Sequence, residues 1–212
     1  MTSSEKAIGE IEQVICEVMD SVLSRVQFDP QIFSRARPFH AALVPEEIWK
    51  GAKFERSFVT SLGQKAFEKI AVIIAKDVHG YAEQGYQLEG EITQGELTQI
   101  NAILRELEHK GTQRREPNWL QELREVAQAQ AGSEQALTVI VDLYVKSAAK
   151  EMFFEIKSSK PNADQSLQSK RKLLQIQAIK RGNPVETFFV FPDNPYEQKR
   201  IMVGLIPNAT LL

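Results

Sequence analysis

The sequence predicts a mixed α/β fold, with an N-terminal helical portion followed by a mixed central sheet flanked by helices. Three observations predict it. Apolar residues recur at helical spacing through roughly the first 130 positions. At Leu137 the texture changes, and residues 137–145 and 152–156 become short, nearly continuous apolar runs rich in β-branched and aromatic side chains. A helical stretch over 164–181 then separates this pair from a third run at 187–191.

In order, residues 8–26 read as an amphipathic helix, with Ile8, Ile11, Ile15, Val18, Val22 and Val26 at helical spacing. Cys16 lies on an apolar helical stripe with Ile11, Ile15 and Met19 and reads as a small core residue rather than a nucleophile. Residues 28–45 read as loop, broken by Pro30, Pro38 and Pro45, and Pro45 opens a short helix through Trp49. Residues 57–78 form a long helix whose shared face carries Phe58, Leu62, Ala66, Ile70 and Ile73. Gly80, Gly85 and Gly90 mark irregular chain. Helices follow over 93–109, stopped by Gly111, and over 117–131, stopped by Gly132. After the third strand Pro192, Asn194 and Pro195 begin an irregular tail. The expected organisation is a single domain, with residues 1–56 as its helical portion, 57–197 as its core and 198–212 as the tail.

Composition bounds the function. The 212 residues suffice for a sizeable core, and 42% hydrophobic with 25% charged residues is ordinary for a globular chain. The formal net charge of −2 does not advertise nucleic-acid binding and counts mildly against it. Cys16 is the sole cysteine, which excludes an internal disulfide and fits a reducing cytoplasm. The first ten residues lack the basic start and apolar run of a secretory signal, and no apolar stretch approaches a membrane span. His40, His79 and His109 are scattered without zinc spacing.

The chemistry concentrates in one hairpin. Each of its strands carries an acid within an apolar run, Asp142 in the first and Glu155 in the second. Closing the hairpin through residues 147–150 sets Lys146 against Glu151, Tyr144 against Phe153 and Asp142 against Glu155. Alternation then puts Lys157 on the face of both carboxylates. Two carboxylates with Cβ atoms roughly 5 Å apart are costly unless a cation lies between them, and such an oxygen pair suits Mg²⁺. The alternative, a surface hairpin with solvated charges, leaves the apolar flanks of both strands unexplained.

Asp142, a gap of twelve residues and then Glu155-Ile156-Lys157 resemble the pattern of the PD-(D/E)XK nuclease superfamily. Further stretches resemble the TdeIII family of type II restriction endonucleases: residues 154–167 with Lys170-Arg-Lys-Leu-Leu174, Ser57-Phe-Val-Thr-Ser-Leu-Gly63 leading into Phe67-Glu68-Lys69-Ile70, and Asn194-Pro-Tyr-Glu197. The resemblance implies a restriction-endonuclease-like core and Mg²⁺-dependent, site-specific cleavage of double-stranded DNA. It also implies a homodimer and a companion DNA methyltransferase. Under it Asp142 and Glu155 are metal ligands and Lys157 is the catalytic lysine. Glu68 matches the position of a further acid near the metal, and equally reads as a helix-surface partner of Lys65 or Lys69. Chains of that family continue well beyond the Asn194–Glu197 segment, and residues 201–212 are unlike what is expected there, so a truncated copy is a further expectation. Two other functions stay open: a repair or structure-specific nuclease with the same core, and a DNA-binding relative that does not cut.

Basic residues 170, 171, 172, 180 and 181 on the helix after the second strand are expected to meet backbone phosphates. The DNA-binding candidates are Lys160, Gln165, Lys170 and Arg171, while Arg114 and Arg115 make a weaker claim. Asn162 or Asp164 is the expected cap of that helix.

Overall fold

The computed structural model describes residues 4–25, 29–109, 111, 114–158, 161–183, 185–192 and 209–211. The chain divides into two compact units, residues 1–77 and 78–212.

The first unit is helical. Helix α1 (Glu5–Arg25) buries Ala7, Val14 and Val22. Ile8 and Ile15 are exposed, and so is Cys16. The buried line keeps Val22 of the predicted stripe but runs through Ala7 and Val14 where Ile8 and Ile15 were expected, and Cys16 lies off the core face. Residues 30–43 are not loop but two short helices, α2 (Pro30–Ala36) and α3 (Pro38–Leu43). The prolines that suggested breaks sit in the first turn of each, where the missing N–H is no loss. The Asp29 carboxylate caps α2 by accepting from the Gln31 and Ile32 N–H groups. Helix α4 (Glu46–Ser61) runs through a π-helical turn (Leu62–Ala66) into α5 (Phe67–His79). The short helix expected after Pro45 and the long one expected from Ser57 are thus one helical run. Ser4 ties the ends of this unit together, donating from N and Oγ to the Asp77 carboxylate at 2.8 and 2.6 Å.

The second unit holds a five-stranded sheet in the order β1-β2-β3-β4-β5. The stretch expected to be irregular around Gly80, Gly85 and Gly90 is strand β1 (Tyr81–Thr93). It pairs antiparallel with β2 (Glu134–Lys146), which pairs antiparallel with β3 (Glu151–Ile156). Strand β3 pairs parallel with β4 (Val185–Phe191), reached through helix α8 (Ala163–Ile179). Within the tail predicted to be irregular, β5 (Ala209–Leu211) adds a parallel edge strand beside β4. The Asn194–Glu197 motif lies outside the described residues.

Helices α6 (Gln94–Glu108), α7 (Trp119–Gln128) and α8 pack against the sheet around one core, which includes Ile100, Ile103, Val126, Val141, Phe153, Leu174, Ile176 and Phe189. Fully burying each such side chain stabilises by ~1.5–3 kcal/mol. Both α6 and α8 start with a capping box, Thr93 with Glu96 and Asn162 with Gln165, so backbone donors at each helix start find partners. A Cβ on Gly90 would lie 2.3 Å from Ile179 Cγ2. Glycine there lets the end of α8 settle directly on β1.

Candidate active site

The β2–β3 register is the predicted one as far as the ladder runs. Lys146 pairs with Glu151, Val145 with Met152, Tyr144 with Phe153 and Leu143 with Phe154. Tyr144 and Phe153 have ring centroids 5.1 Å apart, and Tyr86 stacks on Tyr144 at 4.2 Å. Glu151 takes hydrogen bonds from Lys180 at 2.8 Å and from the Tyr144 hydroxyl at 2.6 Å, and the charge of facing Lys146 adds to their attraction.

One step past the last rung the backbones part, and the side chains of interest stand at that fork. The Ile156 N–H, which would otherwise continue a ladder, donates to Asp142 Oδ2 at 2.7 Å. The Lys157 N–H turns to β4 and donates to the Val190 carbonyl at 3.0 Å. Asp142 is thereby fixed by a main-chain donor at the end of β3. Lys157 Nζ lies 2.8 Å from Asp142 Oδ2, 3.1 Å from the Ile156 carbonyl oxygen and 3.2 Å from Glu155 Oε2. Three oxygens therefore converge on one cationic position.

The electrostatics are those of a site under tension. Glu155 is fully buried. Burial, then the charge of Asp142, push its carboxyl above the usual carboxylate range, against the opposing pull of Lys157 and Lys172. Burial works against the charge of Lys157, but Glu155 and Asp142 together outweigh it and raise the ammonium above the ordinary lysine value. The arrangement is that of a carboxylate pair held together by a cation, and its all-oxygen donor set is the kind that hard divalent ions take. Among the described residues no group of three or more His, Cys, Asp and Glu side chains gathers to hold a metal. The set here is two carboxylates and a main-chain carbonyl.

Two contributors escaped the sequence reading. The Ile156 carbonyl is invisible to side-chain motifs. Lys172, from α8, reaches Glu155 Oε1 at 2.7 Å, where the sequence reading assigned it to phosphates. The other basic residues assigned to phosphates on and just after α8 also have partners within the protein. The Lys170 side chain is wholly buried in an ion pair with the equally buried Glu122 of α7, at 2.6 Å. Arg171 donates to the Asn101 side chain on α6. Lys180 pairs with Glu151, and Arg181 with Glu96 at 3.4 Å. These contacts tie the helix to its neighbours. Gln165 is an exposed capping residue of α8, and Lys160 lies outside the described residues. Arg115 is engaged by Glu106 and Glu125 at 3.0 and 2.6 Å. Glu68 lies half-buried on α5 of the helical unit, while every contact just described at the hairpin comes from the other unit.

Among the described residues no helix is long and apolar enough to cross a membrane. Comparison with known proteins now bears on this site. The family model described as type II restriction endonuclease, HinfI, matches residues 3–202. The chain is 33% identical over 186 residues to the type II restriction enzyme HgiCII of Herpetosiphon aurantiacus, covering 86% of this chain and 66% of that protein. It is 32% identical over 196 residues to HgiEI of the same organism, covering 91% and 68%. The chain thus spans about two thirds of the length of these relatives. No solved structure matches. The matched family is the HinfI type, where the motifs were read above as TdeIII-like, and type II restriction is what the two readings share. With a mixed α/β sheet compatible with such enzymes and a match along almost its whole length, the chain belongs to the HinfI family of type II restriction endonucleases.

Proposed function

We propose that this chain is a Mg²⁺-dependent, site-specific endonuclease that hydrolyses phosphodiester bonds in double-stranded DNA, built on a PD-(D/E)XK core. The TdeIII-like motifs are then features that family shares with the HinfI type. The observation that carries the reading is the convergence of Asp142 Oδ2, Glu155 Oε2 and the Ile156 carbonyl on one cationic position. Asp142 and Glu155, with that carbonyl, would hold the metal. When bound, the ion would clamp the scissile phosphate and acidify the attacking water. Lys157, displaced from the carboxylates, would set its ammonium against the charge developing on the phosphate. Asp142 keeps its orientation throughout because the Ile156 N–H anchors it. Cutting both strands of a duplex calls for two such centres, which a homodimer supplies, and a companion methyltransferase would protect the host's own sites.

The test is incubation of the purified protein with unmethylated plasmid DNA, with Mg²⁺ or with EDTA, beside Asp142→Ala and Lys157→Ala. Discrete fragments that need Mg²⁺ and vanish in both variants are expected. Non-specific degradation would point instead to a repair or structure-specific nuclease. DNA binding without cleavage under any divalent ion would point to a relative that binds and does not cut.

A further inference from the structure

The two oxygens of Glu155 have different partners. Oε2 belongs to the cluster around Lys157 Nζ, with the Ser169 hydroxyl 3.4 Å away. Oε1 points the other way, to Lys172 Nζ at 2.7 Å. Lys172 and Ser169 stand three residues apart on α8, hence on one face of that helix. The helix itself is anchored by the Asn162–Gln165 capping box at its start and the buried Lys170–Glu122 pair in its middle. Lys157 can leave Glu155 without unpairing it, because Lys172 holds the oxygen outside the cluster. A cation replacing Lys157 at the three oxygens would find Glu155 already turned.

We propose that Lys172 is a positioning residue of this site, holding Glu155 Oε1 from α8 so that Oε2 is presented with Asp142 Oδ2 and the Ile156 carbonyl to a divalent cation. This rests on the metal-site reading above. Two effects compete when Lys172 is removed. Losing its positive charge favours a nearby cation, and losing its grip lets Glu155 turn away. Loss of a partner that orients a metal ligand typically weakens metal binding by roughly 10–100-fold, so the second effect governs here.

The test is Mn²⁺ binding to the full chain, followed by electron paramagnetic resonance and calorimetry without DNA, for the wild type and for Lys172→Met, Lys172→Gln and Lys172→Arg. Thermal melts confirm that each variant is folded. Lys172→Met is expected to bind Mn²⁺ about tenfold more weakly. Lys172→Arg should restore most of the affinity. Lys172→Gln, which keeps a hydrogen-bond donor without the charge, should bind more tightly than Lys172→Met. Binding by Lys172→Met as tight as wild type, or tighter, overturns the proposal. So does a Lys172→Gln variant no better than Lys172→Met, since a hydrogen-bond donor to Glu155 would then make no difference. Failure of the wild type itself to bind Mn²⁺ would bring down the metal-site reading, and this inference with it.

Discussion

Gly85 stands across the β1–β2 ladder from Asp142, between the Gln84–Leu143 and Tyr86–Val141 pairs, with φ at +65°. Around that step β2 is buried at Val139, Val141, Leu143, Tyr144 and Val145, while Asp142 keeps part of its surface and joins the Lys157 cluster. Gly85 faces it in a conformation that L side chains avoid.

Gly85→Ala is therefore expected to cost about 1–2 kcal/mol of stability from backbone strain alone, since a Cβ there meets nothing within 4 Å. Its larger effect should be on cleavage, because relief of the strain shifts the backbone that faces Asp142. Gly90→Ala makes the contrast. A Cβ there would clash with Ile179 and cost about 1–3 kcal/mol, yet the folded fraction should cut DNA at the wild-type rate. Urea melts with initial cleavage rates separate the two, and equal loss of activity per folded molecule in both variants would remove the special role of Gly85.

Lys157 and Asp142 should behave as one unit. Lys157→Ala and Asp142→Asn are each expected to lower the cleavage rate by at least about 100-fold, the loss typical when a stabiliser of developing charge is removed. The double variant should be little worse than either single one. Asp142→Asn keeps an acceptor for the Ile156 N–H, so its thermal melt should stay near wild type. A double variant whose losses multiply would show that the two residues act independently.

The hairpin was legible in the sequence because one short-range rule decides it. Fixing the closing residues 147–150 fixes every rung from Lys146–Glu151 to Leu143–Phe154, and period 2 brings Lys157 to the carboxylates. Strand β1 was not legible, because its glycines serve tertiary needs. Gly85 takes a positive φ inside the strand, facing Asp142, and Gly90 answers the approach of Ile179 from α8. The partners of the basic residues on and just after α8 were not legible for a related reason. Their acids, Glu122, Glu155, Glu151 and Glu96, lie on other elements, so no local pattern announces that those charges are spoken for. The short helices α2 and α3 hid behind prolines that mark a helix start as readily as a break.

The buried Lys170–Glu122 pair joins α8 to α7 with neither side chain exposed. Burial pulls the Lys170 ammonium below the ordinary lysine value, against the pull of Glu122, so the pair is maintained against a desolvation cost. Lys170→Met alone should cost about 3–5 kcal/mol, because it strands a buried carboxylate. Lys170→Met with Glu122→Leu should recover most of that loss. Chemical denaturation of the single and double variants measures both. A single variant as stable as wild type would mean that solvent reaches Glu122.

Glu151 supplies the pH dependence. Burial disfavours its charge, but the hydrogen bonds from Lys180 and the Tyr144 hydroxyl prevail and hold its carboxyl below the usual range. The sign follows from linkage. A carboxylate held lower in the folded state contributes stability above its unfolded value of about 4.3, and loses it as pH falls through the folded value. Glu151→Gln should therefore cost about 1 kcal/mol at neutral pH, the net worth of a typical partly screened pair of this kind. The difference from wild type should close as pH falls below about 4. Lys180→Met should show the same profile, because it removes the same ion pair from the other side. Thermal melts of the three proteins at a series of pH values read this directly. A Glu151→Gln deficit that is the same at acid and neutral pH would show that the residue acts through packing rather than charge, with its contacts to Tyr144 and Lys180 merely filling space at the turn end of the hairpin.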